Sequence, residues 1–121
     1  MSGMSVLSSE HFVSFLLTLG ENDMVGCHMP QGDVLGFTEN VNEMLNNQED
    51  FPEMEFKTNN TYIEGMSAGE SVMFSCRNGL SGKKVQFAID KEDCQELVER
   101  IQAMANPQCV TVAKDKWRFF D

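Results

Sequence analysis

From Met54 to Ile89 the apolar residues of this 121-residue chain recur mostly at every second position, and from Cys94 to Ala105 they recur every third or fourth. A period of two marks strands with one buried face, and a period near 3.6 marks an amphipathic helix, so a sheet followed by a helix is the strongest structural demand the sequence makes. Met54, Phe56 and Thr58 alternate with Glu55 and Lys57, Asn59-Asn60 offers a turn, and Thr61 to Met66 returns. Past Ser67-Ala68-Gly69, Val72, Phe74 and Cys76 share one face, and past Asn78 to Gly82, Val85, Phe87 and Ile89 do the same. These four segments predict an antiparallel meander with one buried side. Asp90 then stands as the cap of a helix whose stripe is Cys94, Leu97, Val98, Ile101, Met104 and Ala105, with Asn106-Pro107 as its end. Cys109 to Ala113 and Trp117, Phe119 and Phe120 are β-prone and aromatic, which predicts a last strand or hairpin returning to the sheet.

The first half carries weaker signals. Phe12, Phe15, Leu16 and Leu19 follow helical spacing between a capping Ser8 or Ser9 and a terminating Gly20, which predicts a helix over 9–19 behind a flexible N-terminus of residues 1–8. Met24 to Met29 suits a short strand, and Pro30, Gly32 and Gly36 read as loop punctuation. Thr38 can cap a second helix through about Asn47, with Val41, Met44 and Leu45 as its apolar side and Phe37 as a preceding staple. No internal repeat or linker is visible, so residues 1–121 are expected to form a single domain. The expected class is α+β: an antiparallel sheet of four to six strands with two N-terminal helices and one long C-terminal helix packed on one face.

Charge narrows the function. The net charge is −10, and it is unevenly spread: residues 1–70 hold twelve acidic side chains against a single basic one, Lys57, whereas residues 71–121 hold seven acidic and eight basic. Such a surface repels nucleic acid and anionic membranes and attracts basic proteins. No apolar run approaches the length of a membrane span. The four cysteines, Cys27, Cys76, Cys94 and Cys109, are irregularly spaced with no export signal, which suggests reduced thiols and a cytoplasmic protein, and the sequon Asn59-Asn60-Thr61 is set aside on the same ground. The nine methionines read as adaptable core packing, with a Met-rich binding surface as the alternative.

Several motifs invite chemistry and lack its context. Gly65-Met66-Ser67-Ala68-Gly69 spells the nucleophile elbow, but a strand follows where a helix is required, and His11 and His28 precede the serine. Ser81-Gly82-Lys83-Lys84 has Arg77 and Lys84 where a phosphate loop needs glycine and a hydroxyl. Cys27 and His28 are adjacent, so an extended chain sends them to opposite faces and spoils them as a metal pair. Asp90-Lys91-Glu92-Asp93 is a helix start, not a calcium loop. No catalytic residue, metal or cofactor is therefore expected; Glu64 and Glu70 are the carboxylates to which an acid-base enzyme would turn.

The remaining candidate is the stretch holding Glu39, Glu43, Glu49, Asp50, Phe51, Glu53 and Glu55, where carboxylates mix with asparagines, an aromatic and Pro52, and no basic residue intervenes. Size and charge resemble those of small acidic inhibitor proteins as a class. The expectation is a non-enzymatic binding module, of inhibitor or immunity type, phage-encoded or mimicking nucleic acid. It would engage a basic partner such as a nucleic-acid-binding enzyme or a toxin, as monomer or homodimer, with no direct contact to nucleic acid or membrane. A secretion-type chaperone or assembly adaptor is the alternative; it requires exposed apolar surface near Met24, Met29 or the final aromatics.

Overall fold

The computed structural model describes residues 3–77 and 82–105. Its order is β1 (Gly3–Ser8), β2 (Phe12–Thr18), β3 (Met24–Pro30), α1 (Gln31–Asn46), β4 (Glu53–Lys57), β5 (Tyr62–Ala68), β6 (Ser71–Arg77), β7 (Lys84–Asp90) and α2 (Lys91–Met104). The strands form two antiparallel sheets, β1-β2-β3 and β4-β5-β6-β7. The expected class is corrected accordingly: there are two sheets rather than one, and among the described residues two helices rather than three.

The second sheet follows the alternation from Met54. Met54, Phe56, Ile63, Val72, Phe74, Cys76, Phe87 and Ile89 are buried, and α2 buries Cys94, Leu97, Val98 and Ile101 against the same core. Asp90 occupies the cap position without a side-chain hydrogen bond to the helix, so its capping role is not the one expected. The expected C-terminal strand or hairpin lies outside the described residues.

The first sheet replaces the expected N-terminal helix. Residues 9–19 contain no helix; β2 buries Val13, Phe15 and Leu17 instead, and residues 3–8, expected to be flexible, pair with it as β1. The run is nearly continuous in apolar residues, so it satisfies both periods, and its aromatic and β-branched members favour the strand. Residues 24–30 form the suspected strand, β3. Helix α1 starts at Gln31, not at Thr38, with Pro30 as its extended cap residue. Proline at a helix entrance gives up an amide that would lack a partner anyway, so here it opens the helix. Thr38 and Phe37 are buried in mid-helix, and the Thr38 hydroxyl donates to the carbonyls of Val34 and Leu35 at 3.0 and 3.1 Å. Gly36 lets α1 approach β4: a Cβ there would stand 2.9 Å from the Phe56 ring.

The two halves repeat one unit, three antiparallel strands running directly into a helix. β1-β2-β3-α1 and β5-β6-β7-α2 match in detail. Pro30 pairs with Phe12 and Asp90 with Ser71, each the last strand residue paired with the first of the middle strand. The first helical amide then donates to the carbonyl just before that middle strand: Gln31 to His11 at 2.7 Å and Lys91 to Glu70 at 2.8 Å. Buried side chains correspond, Val13 with Val72, Phe15 with Phe74, Met29 with Ile89, Phe37 with Leu97 and Val41 with Ile101. The repeat is structural, carried by apolar class more than by identity, and the sequence reading did not find it. Helices α1 and α2 pack on each other, and each touches both sheets, so the cores of the two units merge. Within this junction the thiols of Cys27 on β3 and Cys76 on β6 hydrogen-bond; that bond and burial hold the Cys27 thiol far above its usual range. Burial pushes the Cys94 thiol up to about 12.

Candidate functional site

With Met54 and Phe56 facing the core, the pleat turns Glu53, Glu55 and Lys57 outward on β4. Register then sets what lies beside them. One cross-strand row is Glu53, Met66, Met73 and Ala88; the next is Glu55, Glu64, Ser75 and Gln86. A basic end follows, where Lys57 pairs with Tyr62 and Arg77 with Lys84. All members of the first two rows except Ala88 line a shallow hollow of about 510 Å³ on the outer face of the sheet.

Three features mark this hollow. Glu55 and Glu64 are direct partners across β4 and β5, an arrangement of like charges that works against pairing. Among the described residues, no Lys or Arg lies within ion-pair distance of Glu53, Glu55 or Glu64. The hydroxyl of Ser75, a residue only 8% exposed, has no hydrogen-bond partner although Glu64 and Gln86 flank it in register. Beside them the Tyr62 hydroxyl donates to the Glu64 carboxylate, and this bond, with the nearby charges of Glu64 and Glu55, raises the phenol to about 12.

The first sheet carries a hollow at the equivalent positions, about 270 Å³, lined by Ser5, Leu7, Ser14, Leu16, Gly26 and His28. Its chemistry is different. Leu7 is 70% exposed, the Ser14 hydroxyl and His28 Nδ1 lie 2.6 Å apart, and His28 stacks on Phe12 with ring centres 4.3 Å apart. A serine beside a histidine invites a nucleophilic reading, but among the described residues no third group bonds the imidazole to orient it as a base. The depression therefore belongs to the repeated unit; of the carboxylates beside it, Glu64 lies in the second copy, and Glu53 and Glu55 lie on β4, a strand with no counterpart in the first sheet.

The acidic stretch singled out in the sequence is divided between places. Glu53 and Glu55 line the 510 Å³ hollow; Glu39 and Glu43 stand on the exposed side of α1, where they line a separate depression with Asn42, Asn46 and Asn47. Glu49, Asp50 and Phe51 are exposed in the connection from α1 to β4, with Phe51 65% exposed. Glu64, Ser75 and Gln86 were not grouped with these by sequence reasoning. A usable signal existed: pairing centred on Asn59-Asn60 puts position 55 opposite position 64. Of the other motifs, Ser67 is buried on the inner face of β5 and leads through the Gly69 turn into strand β6, not into a helix. Cys27 is buried and His28 exposed, on opposite faces of β3, and no group of three or more potential metal ligands occurs among the described residues. Met24 is exposed and Met29 buried, so the alternative's apolar surface is met at one of these two positions. No described helix is long and apolar enough to cross a membrane.

No known protein family, characterised protein or solved structure matches the chain.

Proposed function

We propose that this protein is a non-enzymatic binding module whose carboxylate-bearing face engages a basic surface of a partner protein. The observation that carries the reading is the acidic row on the second sheet, where Glu55 faces Glu64 with Glu53 alongside and, among the described residues, no Lys or Arg comes within ion-pair distance of them. A fold gains nothing from like charges placed opposite each other, whereas a cationic partner relieves their repulsion on docking. Met66 and Met73 beside the carboxylates add adaptable apolar contact, the mixture that interfaces use. Inhibitors of nucleic-acid-binding enzymes and immunity-type proteins fall within this class.

The test is titration against a panel of basic nucleic-acid-binding proteins at low and high salt. The proposal expects at least one tight complex that weakens as salt rises. Complexes indifferent to salt, or none across the panel, would contradict it. A second reading, an adaptor holding an apolar client, is favoured by the exposed Leu7 in the hollow of the first sheet. It expects Leu7→Ser to abolish client capture while Glu55→Gln leaves it intact.

A further inference from the structure

We infer that the row Glu55, Glu64, Ser75 and Gln86 is a subsite for an arginine side chain of the basic partner. This rests on the proposed function and goes further by naming the group recognised. The carboxylates alone would say only that the face is acidic. Ser75 adds the second, independent observation: a hydroxyl nine-tenths buried, lining the hollow, and bonded to nothing. Buried polar groups in native proteins are almost always satisfied, so this orphan beside a solvent-facing depression marks a place where an incoming group, a water or a ligand donor, supplies the missing bond.

The acceptors are spread in a line: two carboxylates from adjacent strands, then the serine oxygen, then the side-chain carbonyl oxygen of Gln86. A guanidinium presents five N–H donors in a rigid plane and can serve several separated acceptors at once, whereas an ammonium is a compact point charge. The neighbouring row of Met66, Met73 and Ala88 offers the apolar strip on which an arginine stem lies. Comparison within the molecule shows that the fold does not require this chemistry. At the positions of Glu64, Ser75 and Gln86 the first unit has Ser5, Leu16 and Gly26, and it builds the same three-stranded unit without charge there.

The experiment titrates capped Ala-Arg-Ala, Ala-Lys-Ala and Ala-citrulline-Ala peptides into the isotopically labelled full chain and follows backbone amide shifts. The arginine peptide should move Glu55, Glu64, Ser75 and Gln86, the lysine peptide should bind several-fold more weakly, and the neutral citrulline isostere should not bind. Glu64→Gln should weaken the arginine peptide about tenfold, the loss expected for one charge-assisted bond. Ser75→Ala should weaken it about threefold while leaving the melting temperature equal or higher, since it removes an unsatisfied hydroxyl. Equal response to arginine and lysine, indifference to both substitutions, shifts centred on Glu39 and Glu43, or no shifts at all would each overturn the subsite. None of these results removes the broader proposal, which stands or falls on the salt-dependent titration of whole basic proteins.

Discussion

Tyr62 is the only tyrosine in the chain, so its phenol reports on the acidic row without interference. Its hydrogen bond to Glu64 favours the protonated form and raises the phenol to about 12. A group whose pKa rises on folding adds stability below its unfolded value, and that contribution disappears as pH climbs through the folded value, here between the ordinary 10 and about 12. An alkaline titration followed by phenolate absorbance should therefore place Tyr62 near 12 in the wild type. Glu64→Gln should move it back towards about 10, the ordinary value for tyrosine. Identical curves for the two proteins would mean that Glu64 does not govern this end of the face. Gly36 offers a test of packing at the same scale. Alanine favours a helix over glycine by about 1 kcal/mol, yet its Cβ would meet the Phe56 ring at 2.9 Å. Phe56 is buried edge-on to Phe37, with ring centres 6.0 Å apart, so the clash should win. Gly36→Ala is expected to lose about 1 to 3 kcal/mol in denaturant titration, while Gly32→Ala, with open space at its Cβ, is expected to lose nothing.

Between elements, Asp33 supplies a polar tether from α1 to the β4–β5 hairpin. One carboxylate oxygen accepts from the hydroxyls of both Thr58 and Thr61 at 2.9 Å, and the Thr58 oxygen also accepts the amides of Asn60 and Thr61, closing the turn. Asp33→Ala should cost about 1 to 3 kcal/mol and speed amide exchange at Asn60 and Thr61, since charge-assisted bonds are among the stronger ones. Unchanged exchange would show that the turn holds itself. This hairpin was legible in the sequence because alternation and an Asn-Asn turn agree, and the helix after Asp90 was legible because one period fits it and no other does. The first sheet was not. In residues 12–18 five of seven positions are apolar, so Phe12, Phe15, Leu16 and Leu19 fit a helix while Val13, Phe15 and Leu17 fit a strand; residue type leans towards the strand, and the pairing with β1 and β3 fixes it. The start of α1 was obscured because Pro30, Gly32 and Gly36 resemble a loop, although proline belongs at a helix entrance and Gly36 serves a close contact.

For the whole molecule, duplication and charge are separate facts that meet on one surface. Two copies of a strand–strand–strand–helix unit build the merged core, each unit carries a hollow on its outer face, and only the second hollow is lined with carboxylates. The acidity of residues 1–70 was visible in the sequence, but its organisation was not, because sheet register brings Glu64, Ser75 and Gln86 beside Glu55 and leaves Glu39 and Glu43 on a helix elsewhere. The measurement that bears most directly on the proposed role is the rate of association with a basic partner taken from the panel, recorded against ionic strength. It should compare the wild type, the triple variant Glu53→Gln, Glu55→Gln, Glu64→Gln, and the double variant Glu39→Gln, Glu43→Gln. If the sheet face is the docking surface, the triple variant should associate about tenfold more slowly at low salt, with a flattened salt dependence and a melting temperature no lower than that of the wild type, while the double variant changes little. Wild-type association by the triple variant at every salt concentration would contradict the account.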